Sequence, residues 1–358
     1  MDSVFPSTAP EVSIIVPARN EESSLGDCLQ SLVSQDGVRF EVIVVDDAST
    51  DRTRQIAEGF RGVRVISAPP LPEGWTGKNN ALVAGVKESW GEWLLFTDAD
   101  TVHVAGSLAR ALAEGKQSEA ELLSYSPEQI AVTFWEMAVL PVVFAELARQ
   151  YPPKEVSDPT SPVAAANGQY MLVRRAAYDA VGGHAAIADD LLEDVALARA
   201  FKSSGRKIRF RYAADAVRTR MYRNFRQLRE GWTKNLALLF PNPGWLAAKT
   251  FVLWGVIWGA FFLGIKSRFG AGGALWGTAL LLAPMYLGGR LRGANFTWDL
   301  EVIASVFGYP MVAYLLLRSK RAHAHMQVIW KGRSYGGNPV PEEGNIKRDM
   351  RDTAKAMT

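Results

Sequence analysis

The alternation of short apolar runs with helical spacing over residues 12–96 constrains this chain more than anything else in it. Val12–Pro17 (VSIIVP), Glu41–Val45, Val63–Ile66 and Glu92–Phe96 (EWLLF) have strand length and little polar interruption, the pattern of strands covered on both faces. Between them lie helical segments: Glu22–Leu32, with Leu25, Leu29 and Leu32 at i, i+4 and i+7, then Thr50–Phe60 and Lys78–Glu88. This alternation predicts an α/β fold with a largely parallel sheet and helices on both faces. In such sheets ligands sit beyond the carboxyl ends of the strands.

Two acidic clusters fall at those ends. Asp46-Asp47-Ala48-Ser49-Thr50-Asp51 follows the second strand. A carboxylate there can accept from a base N–H or a ribose hydroxyl; a loop with a Ser or Thr N-cap reads equally well. Thr97-Asp98-Ala99-Asp100 follows the fourth strand. Carboxylates at i and i+2 on a turn can converge on a hard divalent cation, with diphosphate oxygens and water completing its coordination. A third cluster is Glu193-Asp194. The spacing Asp190-Leu-Leu-Glu193 predicts a capping box, with Asp190 as N-cap and Glu193 at N3 of a helix ending at Gly205. Asp194 in the first turn gains from the helix dipole, and a carboxylate there can also deprotonate an acceptor hydroxyl.

Further elements are a helix at Ala105–Gly115, strands at Leu122–Tyr125 and Gln169–Val173, and a proline-rich loop at Tyr151–Pro162. The apolar segment Ile130–Ala148 reads as a core helix or as a helix on a membrane surface. Arg218–Lys234 carries Arg218, Arg220, Arg223, Arg226, Arg229 and Lys234 among apolar residues, the pattern of a basic interfacial helix or of a solvated basic face.

Beyond residue 240 the composition changes. Three apolar stretches follow, at Trp245–Ile265, Gly270–Gly289 and Val302–Leu317. The first two approach the ~20 residues that cross a bilayer; the third is shorter. Lys249 is placed to snorkel, and Trp245, Trp254, Trp258, Trp276 and Trp298 suit interfacial anchoring. Three full spans would set the tail opposite the N-terminal domain, yet Arg318, Lys320, Arg321, Lys331 and Arg333 favour the same, cytoplasmic side. A soluble helical bundle is the competing reading. The expected organisation is a catalytic domain over 1–240, a membrane-embedded helical region over 241–320 and a basic, partly disordered tail over 321–358.

The formal net charge of +3 is too small to argue for a nucleic-acid partner. Cys28 is the only cysteine, so no internal disulfide forms, which fits a reducing compartment. The start, MDSVFPSTAPEVS, has neither a basic region nor an apolar core, so no cleaved secretory signal is expected. Anchoring is expected to rest on the C-terminal region, at the inner membrane with the catalytic domain cytoplasmic.

The ordered series SIIVPARNEE, VIVVDDASTD, LLFTDAD, NGQYMLVRRAAYDAVGG and LLEDVALARAFKSSG resembles the family 2 glycosyltransferases of the GT-A fold over residues 12–240. GWTGKNNAL, a Trp motif before an apolar C-terminus and the terminal IWKGRSY are similar to the lipid-directed members acting on hopanoids, carotenoids and ceramide. The resemblance implies a nucleotide diphosphate sugar, first of all a UDP-sugar, a lipid acceptor, and Mg2+ or Mn2+. It implies that Pro17, Arg19 and Glu21 lie beside the nucleotide and that Asp47 with Asp46 holds uracil and ribose. Lys78 would approach the nucleotide or diphosphate, and Asp98 and Asp100 would flank the metal. Asn167 and Gly168 would line the acceptor side beside Glu193, with Asp194 as the general base of an inverting displacement. The family's QxxRW motif is represented by Trp232 alone, because Leu228 and Gly231 stand at its Gln and Arg positions. Arg229 would substitute as phosphate partner, and processive polymer synthesis is not expected. Transfer to polyprenyl phosphate, or non-catalytic binding of a sugar nucleotide at the membrane, are the alternatives.

Overall fold

A computed structural model describes residues 9–267, 296 and 300–335. The chain opens with β1 (Val12–Ala18), α1 (Leu25–Val33), β2 (Phe40–Asp46), α2 (Thr53–Glu58), β3 (Val63–Ser67), α3 (Gly77–Lys87) and β4 (Trp93–Phe96). β1 pairs in parallel with β2 and with β4. The apolar runs are continuous because both sheet faces are covered. Val12, Ile14 and Val16 of β1 pack with Leu25, Leu29 and Leu32 of α1, while Ile15 packs on the other face with Ala81 and Leu82 of α3. α3 approaches closely because Gly85 has no side chain: a Cβ there would lie 2.5 Å from Ile15.

Next come β5 (Thr101–His103), α4 (Ser107–Ser118), β6 (Leu122–Ser126), β7 (Glu128–Gln129), α5 (Phe134–Gln150) and α6 (Pro153–Ser157), the last within the expected proline-rich loop. Then follow β8 (Met171–Arg174), α7 (Arg175–Ala180), α8 (Glu193–Ser203), β9 (Ile208–Tyr212) and β10 (Val217–Thr219). The main sheet runs β3-β2-β1-β4-β8-β6-β9, and a small sheet runs β5-β10-β7. The main sheet is mixed, with β8 antiparallel to both β4 and β6. Because β8 runs against β4, with Met171 beside Phe96, the chain re-enters the sheet at the end where β4 leaves it, and Asn167 and Gly168 line the same cavity as Asp98.

The Arg218–Lys234 run is not one helix. Arg218 lies in β10 and pairs with Glu128 at 2.9 Å, and Arg220 pairs with buried Glu136 at 2.9 Å. The helix α9 (Phe225–Leu239) begins only after Asn224, whose side chain accepts from the Gln227 N–H.

The C-terminal part consists of α10 (Pro243–Ser267), α11 (Leu300–Ala324), β11 (Val328–Trp330) and β12 (Arg333–Tyr335). Val139, Leu140 and Val143 of α5 share a core with Trp232 and Leu236 of α9 and Val312, Leu315 and Leu316 of α11. The middle of α5 is thus a core helix, while its first turn exposes Phe134 and Trp135. Lys249 does not reach for a headgroup; it lies 3.4 Å from the buried Glu146 of α5. Among the described residues no single helix is long and apolar enough to cross a membrane, although α9 and residues 243–259 pass together as a pair bent by 114°. The expected second stretch, Gly270–Gly289, with Trp276 and Trp298, lies outside the described residues. Residues 321–335, expected in a partly disordered tail, continue α11 and then form a hairpin that returns to the catalytic domain.

Candidate active site

A cavity of about 480 Å³ opens at the carboxyl ends of β1, β2 and β4. Pro17, Arg19 and Glu21 enter it from the loop after β1, and Asp47 from the end of β2. Arg19 is locked in place, its Nη1 donating to the carbonyls of Asp47 at 2.6 Å and Ala48 at 3.2 Å. Asp46 is not part of the lining; its carboxylate accepts from the Ser49 N–H at 3.3 Å and shapes the turn. Strand alternation separates the two neighbours, so one Asp of the pair serves the loop and the other faces the cavity.

The turn after β4 is held by Thr97, whose hydroxyl donates to the Gln169 carbonyl at 2.8 Å, and by Thr101, whose hydroxyl donates to the Asp98 carbonyl at 2.8 Å. These bonds fix Asp98 and Asp100 beside Asn167 and Gly168. Asp100 is half-buried, and its Oδ1 is shielded from solvent with no hydrogen-bond partner among the described residues. Burial first, then the charges of Asp98 and Glu21, push its carboxyl up to about 8. An unpartnered, shielded carboxylate oxygen two residues from a second carboxylate in the same cavity fits a divalent cation. No cluster of three or more metal-binding side chains occurs among the described residues, so such a cation needs ligands from elsewhere, as a diphosphate would provide.

Lys78 lies between two of the acidic clusters, 2.7 Å from Asp98 and 2.6 Å from Glu193. The predicted capping box is absent. α8 starts at Glu193 with Leu192 as N-cap and no side-chain cap. The preceding segment is pinned elsewhere, because Asn79 Nδ2 donates to the carbonyls of Ile187 at 2.8 Å and of Ala188 and Asp190 at 3.1 Å. Burial would raise the Glu193 carboxyl, but Lys78 and Lys234 outweigh it and hold it below the usual range. Asp194 accepts from the Gly168 N–H at 2.9 Å and from the Val195 N–H at 2.8 Å. Burial, with Glu193 beside it, pushes Asp194 up to about 6. Gly168 leaves the room this requires, since a Cβ there would lie 3.0 Å from Glu193 and 3.2 Å from Lys78.

α9 closes the other wall. Trp232 lines the cavity, packed edge-on against Phe144 and Tyr222. Arg229 does not line it, and its Nε is buried without a partner among the described residues. Thr233 and Ala237, one and two turns beyond it, are bonded to Arg318 and Ser319 of α11, which puts that stripe on the helix-packing side. The stripe facing the cavity carries Gln227, Glu230 and Lys234, so Lys234, noted only as part of a basic run, is the cation this helix presents. Gly231 cannot be the family's Arg because a Cβ there would run into the Tyr222 ring.

The hairpin β11–β12 supplies residues whose place in the site the sequence reading did not foresee. Lys331 is bonded to the Glu21 carboxylate, and Arg333 grips Asp47, with Nη2 donating to Oδ1 at 2.8 Å. The available signal was Lys331-Gly332 between two short β-prone runs. Both residues take positive φ, 47° and 76°, as a two-residue hairpin turn requires.

The Glycosyl transferase family 2 model matches residues 13–182. The chain is 30% identical over 344 residues to a 4,4'-diaponeurosporenoate glycosyltransferase of Staphylococcus aureus (strain MRSA252), covering 90% of this chain and 88% of the relative. The enzyme of the same name from strain USA300 is 28% identical over 342 residues, with 90% and 88% covered. Among solved structures, a Pyrobaculum calidifontis mannosyltransferase in complex with GDP-Man and Mn2+ superposes with a TM-score of 0.50 at 17% identity, covering 88% of this chain and 87% of that one. These matches make the chain a glycosyltransferase of glycosyl transferase family 2.

Proposed function

We propose that this glycosyltransferase moves a hexose, with inversion, from a nucleotide diphosphate sugar to a hydroxyl of a lipid or isoprenoid acceptor at the cytoplasmic face of the inner membrane. The observation that carries the reading is the convergence of Asp98, Asp100 and Asp194 on one cavity, with Asp194 half-buried and its carboxyl pushed up to about 6 by desolvation and by Glu193. Asp47 and Arg19 orient the nucleoside end. Asp98 and Asp100 would hold Mg2+ or Mn2+, which neutralises charge on the diphosphate leaving group when bound. The acceptor oxygen attacks the anomeric carbon as Asp194 removes its proton, and the bond to the diphosphate oxygen breaks with its electron pair. A single displacement inverts the anomeric centre.

The apolar character of the acceptor is supported by the wall of Phe144, Leu147, Met221, Tyr222, Trp232 and Leu239, and by relatives named for 4,4'-diaponeurosporenoate. Membrane contact is supported by the exposed faces of α10 and α11. Trp245 is 73% exposed, Val252 63%, Val256 62% and Leu317 53%, an apolar surface of the kind that marks membrane or partner contact. Membranes containing the protein, incubated with labelled sugar nucleotides and then extracted, should yield one labelled lipid with an anomeric configuration opposite to the donor's. Absence of any labelled lipid across the panel, or retention at the anomeric carbon, would reject the reading.

A further inference from the structure

Lys331 and Arg333 come from the last described element of the chain yet lie on residues of the first two strand ends. Their present partners are Glu21 and Asp47, both on the nucleoside side of the cavity. Both cations line the cavity together with Asp98 and Asp100. We propose that Lys331 and Arg333 are binding residues for the diphosphate of the sugar donor, exchanging Glu21 and Asp47 for phosphate oxygens when the donor enters. This rests on the donor reading above.

The hairpin is fitted to this position at several points. Arg19 Nε donates to the Lys331 carbonyl at 3.1 Å. Lys234 lies 5.3 Å from the centre of the Trp330 ring, on its face. Gly77 leaves the space that Arg333 occupies; any Cβ there would overlap the guanidinium and crowd the Asp47 carboxylate. The tight turn at Lys331-Gly332 holds both cations within one short loop and strand.

Charge explains the exchange. A nucleoside that donates a ribose hydroxyl to Asp47 competes with the guanidinium for the carboxylate oxygens, and where it displaces the fork it leaves Arg333, whose side chain is only 20% exposed, without that counter-charge. A half-buried cation stripped of its partner is costly. The same donor brings two phosphates, and a guanidinium fork matches phosphate oxygens as well as carboxylate ones. Without the two cations, Glu21 and Asp47 would meet the diphosphate as like charges. In the resting site the hairpin therefore neutralises the carboxylates, and in the loaded site it neutralises the donor.

The test uses the full chain. The wild type is titrated with UDP and with GDP in the presence of Mn2+, and the tighter nucleotide is carried forward with its nucleoside. Failure of the wild type to bind either nucleotide sinks the donor reading itself. With binding established, K331A and R333A should each weaken the nucleoside diphosphate by about ten-fold or more, the loss of one charge-assisted hydrogen bond. The nucleoside should bind as well as before, or tighter, because K331A frees Glu21 and R333A frees Asp47. Melting temperatures near the wild-type value show that the variants are folded, and R333K, which keeps the charge without the fork, should fall between wild type and R333A. Unchanged or tighter diphosphate binding in the Ala variants would overturn the proposal and leave the hairpin a plug that competes with the donor.

Discussion

The backbone N–H of Gly168 donates to the Asp194 carboxylate at 2.9 Å, tying the loop before β8 to the first turn of α8. An Asn at 194 can keep that bond through its amide oxygen but cannot take a proton. Asp194→Asn loses the second acceptor, which the Val195 N–H uses, so it should melt somewhat below the wild type yet still bind nucleotide, while turnover falls by about 10²–10⁴-fold. Binding, melting and turnover measured on this one variant decide the matter. Full turnover would leave Asp194 a structural residue, or mark an acceptor such as a phosphate that needs no general base.

A pH profile follows from the same residue. Burial and Glu193 push Asp194 up to about 6, and only its ionised form can accept a proton. Turnover at saturating donor should rise with pH through about 6 and level off above it. A profile flat between pH 5 and 8 would argue against Asp194 as base.

Asp100 makes a stability prediction of definite sign. Its folded pKa is raised to about 8, so folding favours the protonated form. Its contribution is fully present below the ordinary carboxylate value and is lost as pH rises through about 8. Asp100→Asn removes this partly desolvated charge. In metal-free buffer at pH 8 it should melt at or above the wild-type temperature, while metal-dependent transfer is lost. Thermal melts with and without Mn2+ check both statements; stabilisation of the variant by Mn2+ as large as that of the wild type would remove Asp100 from the metal site.

Gly231 sets two known magnitudes against each other. Gly→Ala inside a helix gains up to about 1 kcal/mol from propensity, but overpacking a fitted interior costs about 1–3 kcal/mol. A Cβ at 231 meets the Tyr222 ring, itself buried, so the clash should win and Gly231→Ala should destabilise the protein in a denaturant titration. A stabilised variant would mean that the ring yields freely.

Membrane association should survive salt. At about 1 M salt the Debye length is roughly 3 Å, so purely ionic attachment is screened away. Apolar contact through Phe251, Val252 and Val256, all exposed on α10, is not. The protein should stay in the membrane pellet after the wash, and replacing these three residues by Asp should release it. Release of the wild type by salt alone would reject apolar insertion.

Local pattern carried much of the catalytic domain. Strand-length apolar runs at Val12–Pro17 and Glu92–Phe96 declare burial on two faces wherever they occur, and the carboxylates at 98 and 100 inherit their position from the strand before them. The spacing Asp190–Glu193 misled for a non-local reason: Asn79, on a helix more than a hundred residues earlier, holds the Asp190 carbonyl that a helix capped there would have used in its first turn. The orientation of β8 depended on where the chain returned to the sheet, which no window of sequence records. Lys331 and Arg333 were legible as basic residues in a terminal motif, but their partners Glu21 and Asp47 lie 310 and 286 positions away. Hydrophobic periodicity is a property of neighbours in sequence and so can be read directly. Charge pairing across a cavity depends on distances that exist only once the sheet, the helical bundle and the hairpin have packed together.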